Sequence, residues 1–151
     1  MSNSNISNKK PSKMEENIWS PELLVFCCNW CSYAGADLAG VSRFQYPPNM
    51  RIVRVMCSGR VDPSFIIKAL KSGADGILIS GCHIGDCHYI SGNEYTEKRF
   101  KRLHSIIVQQ LGIDGRRVKL EWISASEGKR FADLITEFTQ QIKDLGPIRG
   151  Y

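Results

Sequence analysis

No stretch of this chain approaches the ~20 consecutive apolar residues that a membrane-spanning helix needs. The opening segment, MSNSNISNKKPSKMEEN, lacks the apolar centre of a secretory signal. These two absences predict a cytoplasmic protein. Disulfides are rare in that compartment, so cysteines there are better read as metal ligands or redox thiols. Nucleotide-binding loops are missing as well. No G-x-G-x-x-G follows the first apolar run, and there is no Walker loop. No Ser–His–Asp set or carboxylate pair suggests hydrolysis. The net charge of +5 has no basic stripe interleaved with aromatics, which favours an acidic partner surface over nucleic acid. A chain without a substrate site of its own reads as an electron carrier or adaptor, and no catalysis is expected from it alone.

Against these absences stand six cysteines in three short clusters. Cys27, Cys28 and Cys31 lie in LLVFCCNWCSYAG, Cys57 in RIVRVMCSGRVDP, and Cys82 and Cys87 in GILISGCHIGDCHY. Each cluster follows a predicted strand. Leu23–Cys27, Arg51–Met56, Gly76–Ser80 and Val118–Ile123 read as strands from their apolar runs or alternation. Helices are predicted from Ala34 to Val41, after Asp62 as N-cap with Pro63 behind it, from Glu94 to Leu111, and from the Ser124/Glu127 capping box to Leu145. Gly73 suits the left-handed stop of the second helix.

The resulting βαβαβαβα order predicts a single doubly wound, flavodoxin-like α/β domain. It would have a parallel sheet of about four strands with flanking helices. The preferred strand order is 2-1-3-4, which makes the three cysteine loops neighbours at the carboxyl edge of the sheet, where ligands of such sheets sit. Residues 1–20 read as a flexible tail, 21–146 as the folded domain and 147–151 as a C-terminal extension. The tail and the IRGY end are candidate partner grips.

Thiolates gathered this closely repel one another unless a cation or cluster neutralises them. Iron–sulfur and zinc are the two candidate occupants. Cys28-x-x-Cys31 has metal-ligand spacing, and Cys28, Cys31, Cys57 and Cys82 are read as ligands. Cys87 is balanced between ligand and supporting residue. Cys27 continues the apolar run and is read as core. His83 and His88 are read as hydrogen-bonding or partner-facing, with ligation the minority reading. His104 is read as a surface residue, and Lys98, Arg99, Lys101 and Arg102 as a solvated face. Arg54 and Arg60 border the second cluster. Trp30, Tyr33 and Tyr89 are candidates for covering the site. Gly35, Gly59, Gly81 and Gly85 are read as giving backbone room beside a bulky inorganic group. A zinc-binding structural adaptor and a Cys28/Cys31 thiol–disulfide protein are the competing readings.

Four segments, CCNWCSYAGAD, VMCSGRVDP, GADGILISGCHIGDCHYISGN and LEWISASEG, resemble the delta subunit of methyl-viologen-reducing hydrogenase. The resemblance runs from about Glu22 to Leu145. It implies a [2Fe–2S] cluster and a place in the heterodisulfide reductase complex of methanogenesis. There the chain would pass electrons from a hydrogenase or formate dehydrogenase to the flavin-containing A subunit of the reductase.

Overall fold

The computed structural model describes residues 18–149. Most of the expected tail and the last two residues of the IRGY end lie outside that range. The chain runs β1 (Leu23–Cys28), α1 (Ser32–Val41), β2 (Met50–Val55), α2 (Pro63–Lys71), β3 (Gly76–Gly81), α3 (Gly92–Gln109), β4 (Val118–Trp122) and α4 (Gly128–Leu145). Short 3-10 turns cover Ser58–Arg60 and Gly115–Arg117. All strand pairings are parallel and the order is β2-β1-β3-β4, as the alternation predicts.

The period of two along a strand divides the core into two layers. Leu23, Val25 and Cys27 of β1 face one side, where they pack with Ala36 and Ala39 of α1 and Phe131, Leu134, Ile135, Phe138 and Ile142 of α4. Phe26 faces the other side, with Ile66 and Leu70 of α2 and Leu103 and Ile107 of α3. β3 is buried along its whole length, as a central parallel strand should be. Cys27 is therefore a core residue with no exposed surface. Cys28, one position on, has the parity of Phe26. That single step decides which of the two adjacent thiols can reach the edge of the sheet.

The helix stops follow the glycines. Asp62 accepts the Ser64 amide at 2.7 Å, and Gly73 takes a φ of 102° beyond the end of α2. The opposite edge of the sheet is closed by Asp75, whose carboxylate accepts the backbone N–H of Glu22 and of Ile148. Arg117 is buried beside it and donates to the Asp75 carbonyl at 3.0 Å.

Three expectations change. α4 begins at Gly128 rather than at Ser124. Only half of a capping box forms: Glu127 Oε2 accepts the Ser124 N–H at 2.8 Å, while Glu127 itself is the N-cap. The start is set by packing, because a Cβ on Gly128 would lie 2.9 Å from the Ala39 nitrogen of α1. His104 is half-buried rather than a free surface residue. Its Nε2 lies 3.0 Å from the Gly115 carbonyl and its ring packs on Phe100. The exposed face of α3 does carry Lys98, Arg99, Lys101 and Arg102, but Arg99 also donates to the Gly59 carbonyl.

Candidate metal centre

Five of the six thiols meet at the carboxyl edge, in two sets. Cys28, Cys31 and Cys82 place their sulfurs within 4.8 Å of one another. Cys28 closes β1 and Cys82 directly follows β3, the strand beside it, and their Sγ atoms are 3.6 Å apart. Cys31 sits in the turn that leads into α1 and is half-exposed. Cys57 and Cys87 form the second set, with Sγ atoms 3.9 Å apart. Cys57 follows β2, and Cys87 lies in the loop before α3. Cys28 pairs with Val55 in the β1–β2 register, so Cys57, two residues further on, brings the second set beside the first.

Each sulfur has a distinct surrounding. The Cys28 sulfur accepts the Ser32 N–H at 3.4 Å. The Ser32 hydroxyl lies 3.3 Å from that sulfur and 2.8 Å from the Ser80 carbonyl. Burial raises the Cys27, Cys31, Cys57 and Cys82 thiols, Cys27 to about 12. Burial also works to raise Cys87, but the amides of Asn93, Tyr89 and Gly92 outweigh it and hold the thiol below its ordinary range. These amides belong to the approach and first turn of α3, whose unpaired N–H groups favour a negative sulfur. Asn93 also fastens the Cys82–Cys87 loop, its Nδ2 donating to the carbonyls of Cys82 and His83.

The histidines point elsewhere. His83 Nε2 is 2.7 Å from Glu127 Oε2, and His88 stacks on Trp30 with ring centroids 3.7 Å apart. Neither joins the thiol group. Trp30 Nε1 donates to the Tyr89 hydroxyl at 3.2 Å, so Trp30, His88 and Tyr89 form one aromatic unit beside the cysteine loops. Tyr33 is not in that unit. It packs with the α1/α4 core, and the Arg54 guanidinium lies over its ring. Met56, Cys57, Arg60, Tyr89, Tyr95 and Arg99 line a cleft of about 700 Å³.

The glycine expectation is mostly corrected. A Cβ on Gly35 would meet Ser124 and Ile123, one on Gly59 would meet Gly92, and one on Gly81 would meet Ser58. These three serve packing between protein segments. Gly85 has open space and a φ of 93°, so it serves a turn. The glycine that faces the thiols is Gly92, which lies at the end of the segment GADGILISGCHIGDCHYISGN but is not among the glycines read as giving room to an inorganic group. A Cβ there would lie 2.2 Å from the Cys57 sulfur and 3.2 Å from the Cys87 sulfur. A further hint is a glycine inside the first turn of a helix, where a better helix former would be expected.

Glu127 carries the pH dependence of this edge. The Ser124 amide and then His83 hold its carboxyl down at about 2, below an ordinary glutamate. A carboxyl lowered on folding stabilises the fold fully above its unfolded value, and that stabilisation fades as pH falls through the folded value. The melting temperature should therefore drop between about pH 5 and pH 2. Glu127→Gln should flatten that part of the curve in an acid melting series, and an unchanged profile would count against the assignment.

A doubly wound α/β domain with five thiols at its carboxyl edge presents the donor set that suits a soft metal. Residues 23–146 match the family described as methyl-viologen-reducing hydrogenase, delta subunit, and the chain belongs to that family. It is 53% identical over 131 residues to the iron-sulfur D subunit of the F420-non-reducing hydrogenase of Archaeoglobus profundus, covering 87% of this chain and 95% of that protein. It is 55% identical over 134 residues to the iron-sulfur D subunit of the F420-non-reducing hydrogenase vhc of Methanococcus voltae, covering 89% and 92%. It is also 51% identical over 128 residues to the A subunit of the ferredoxin:CoB-CoM heterodisulfide reductase of Methanosarcina mazei, covering 85% of this chain and 16% of that protein. Among the described residues no helix is long and apolar enough to cross a membrane.

Proposed function

We propose that this chain is an electron-transfer subunit carrying one [2Fe–2S] cluster, and that it relays electrons from a hydrogenase or a formate dehydrogenase to the A subunit of a heterodisulfide reductase. The observation that carries the proposal is the pair of adjoining thiol sets. Cys28, Cys31 and Cys82 offer ligands on one side, and Cys57 and Cys87 on the other. The donors suit the group: all are soft sulfur ligands, and Gly92 leaves the space at Cys57 and Cys87 unfilled.

When bound, such a cluster supplies a one-electron redox centre. The protein's own contribution is to hold and tune it. The N–H groups of Ser32 and Gly59 donate to Cys28 and Cys57, and the amides around the start of α3 favour a negative Cys87. Hydrogen bonds to ligand sulfurs are one of the levers that set a cluster's potential. Arg60 and Arg99 at the neighbouring cleft offset negative charge and suit an acidic partner surface.

The relatives support the placement between two enzymes. The same domain stands as a separate protein in relatives named for a hydrogenase and as a small part of a relative named for the A subunit of a reductase. A domain that is tethered in one system and free in another is expected to work at their junction. Trp30, Met56, Ile84, Tyr89, Ile90 and Tyr95 leave large apolar surface around the cysteine loops, which a partner would cover.

Two measurements test this. Anaerobically isolated protein should contain iron and labile sulfide in equal amounts, with a rhombic paramagnetic signal on reduction. Stoichiometric zinc without sulfide would instead favour the structural adaptor. In a reconstituted system, leaving the chain out should stop flow from donor to flavin while each partner keeps its dye-linked activity. Unchanged flow would remove the chain from the electron path.

A further inference from the structure

Five thiols face a group that has four thiolate positions, and the geometry says how they are shared. Two sulfurs on one tetrahedral ion, each about 2.3 Å from it, lie roughly 3.8 Å apart. Cys57 and Cys87 are 3.9 Å apart and Cys28 and Cys82 are 3.6 Å apart, so each pair already has the edge that one ion requires. The two pairs also have rigid roots. Cys28 and Cys82 are buried at the ends of the two central strands, Cys57 accepts the Gly59 amide, and Cys87 sits in a loop that Asn93 fastens. Within its own set Cys31 differs: it is half-exposed, as Cys57 and Cys87 are, while Cys28 and Cys82 are buried, yet its sulfur lies within 4.8 Å of both.

Resting on the binuclear reading above, we propose that Cys57 and Cys87 serve one metal ion without substitute, that Cys28 and Cys82 serve the other, and that Cys31 is a reserve ligand that takes over when either neighbour is lost. The Cys31 sulfur, no more than 4.8 Å from either neighbour, has at most about 1 Å to move to reach the 3.8 Å edge. Cys57 and Cys87 stand outside that three-thiol group, as a pair. The asymmetry is therefore built into the fold. One half of the centre tolerates loss of a ligand and the other does not.

The experiment compares alanine variants of the whole chain, made and purified without oxygen, by iron and sulfide content and by the paramagnetic spectrum. Cys31→Ala should keep wild-type iron and sulfide and an unchanged spectrum. Cys28→Ala should keep iron with altered g values, because Cys31 replaces the missing sulfur. The double variant Cys28→Ala/Cys31→Ala, and each of Cys57→Ala and Cys87→Ala, should lose more than the roughly 10–100-fold in metal affinity that an outer-shell change costs. An independent reading is alkylation of the intact wild-type protein followed by mass spectrometry, in which Cys31 should be labelled while iron is retained. Loss of iron from Cys31→Ala overturns the inference. So does loss from Cys28→Ala as complete as from the double variant, or labelling at Cys57 or Cys87 in place of Cys31. A wild-type protein with zinc and no sulfide would remove the cluster reading itself, which separates the two failures.

Discussion

Gly92→Ala should empty the metal centre while leaving the fold intact. The added methyl carbon would lie 2.2 Å from the Cys57 sulfur, a distance no real contact shows, and 3.2 Å from that of Cys87. One of the two sulfurs must leave its place, and both belong to the set that has no spare. The backbone raises no objection. Gly92 opens α3 with an ordinary negative φ, and alanine is the better helix former by up to about 1 kcal/mol. Metal content and folding should consequently part company. Iron should fall at least as far as for loss of an outer-shell partner, roughly 10–100-fold, while the far-ultraviolet circular dichroism stays the same. Gly40→Ala is the control, since nothing lies within 4 Å of the methyl position in the last turn of α1. It should keep its iron. Full metal loading in Gly92→Ala would mean that the two sulfurs point away from the centre in the loaded protein.

Phe131→Ala should be the most damaging single truncation in the core. The ring is wholly buried beneath the sheet in the α1/α4 layer and meets Tyr46 edge-on at 5.9 Å between centroids. Truncating a buried phenylalanine costs about 3–5 kcal/mol, from lost transfer energy and the cavity left behind. For a domain of this size that corresponds to a fall of roughly 6–20 °C in melting temperature. Denaturant titration of the metal-free protein is the cleaner measurement, because bound metal would add its own stabilisation. A midpoint unchanged from wild type would show that neighbouring side chains fill the space.

The strand order and the fate of each β1 thiol were legible because both follow from periodicity. Alternation of strand and helix leaves few topologies, and the apolar run LLVF carries Cys27 into the core by parity. The convergence of the three cysteine loops was legible for the same reason, since it follows from strand order alone. Their division into three and two was not. It depends on where the loop between Cys82 and Cys87 turns, and Asn93 sets that turn through hydrogen bonds to two carbonyls. The glycines were misread because a glycine signals only that something comes close, never what. Gly35, Gly59 and Gly81 admit other protein segments, and Gly92 admits the sulfurs. The capping-box spacing announces the bond of Glu127 to the Ser124 amide, but not its pairing with His83, nor that of His104 with the Gly115 carbonyl, because these partners lie outside any local pattern.

The five thiols hang from segments that follow β1, β2 and β3, and the two closest sulfur pairs span 54 and 30 positions. In an unfolded chain these sulfurs would rarely meet, because each long loop must first be closed at an entropic cost. Biogenesis therefore has a direction. The sheet must assemble around β1 before the centre can be filled, and a donor of iron and sulfide would have to recognise the folded apoprotein rather than a nascent chain. Once filled, the centre ties three strand ends together as a set of cross-links would, so the loaded protein should resist proteolysis at these loops far better than the empty one.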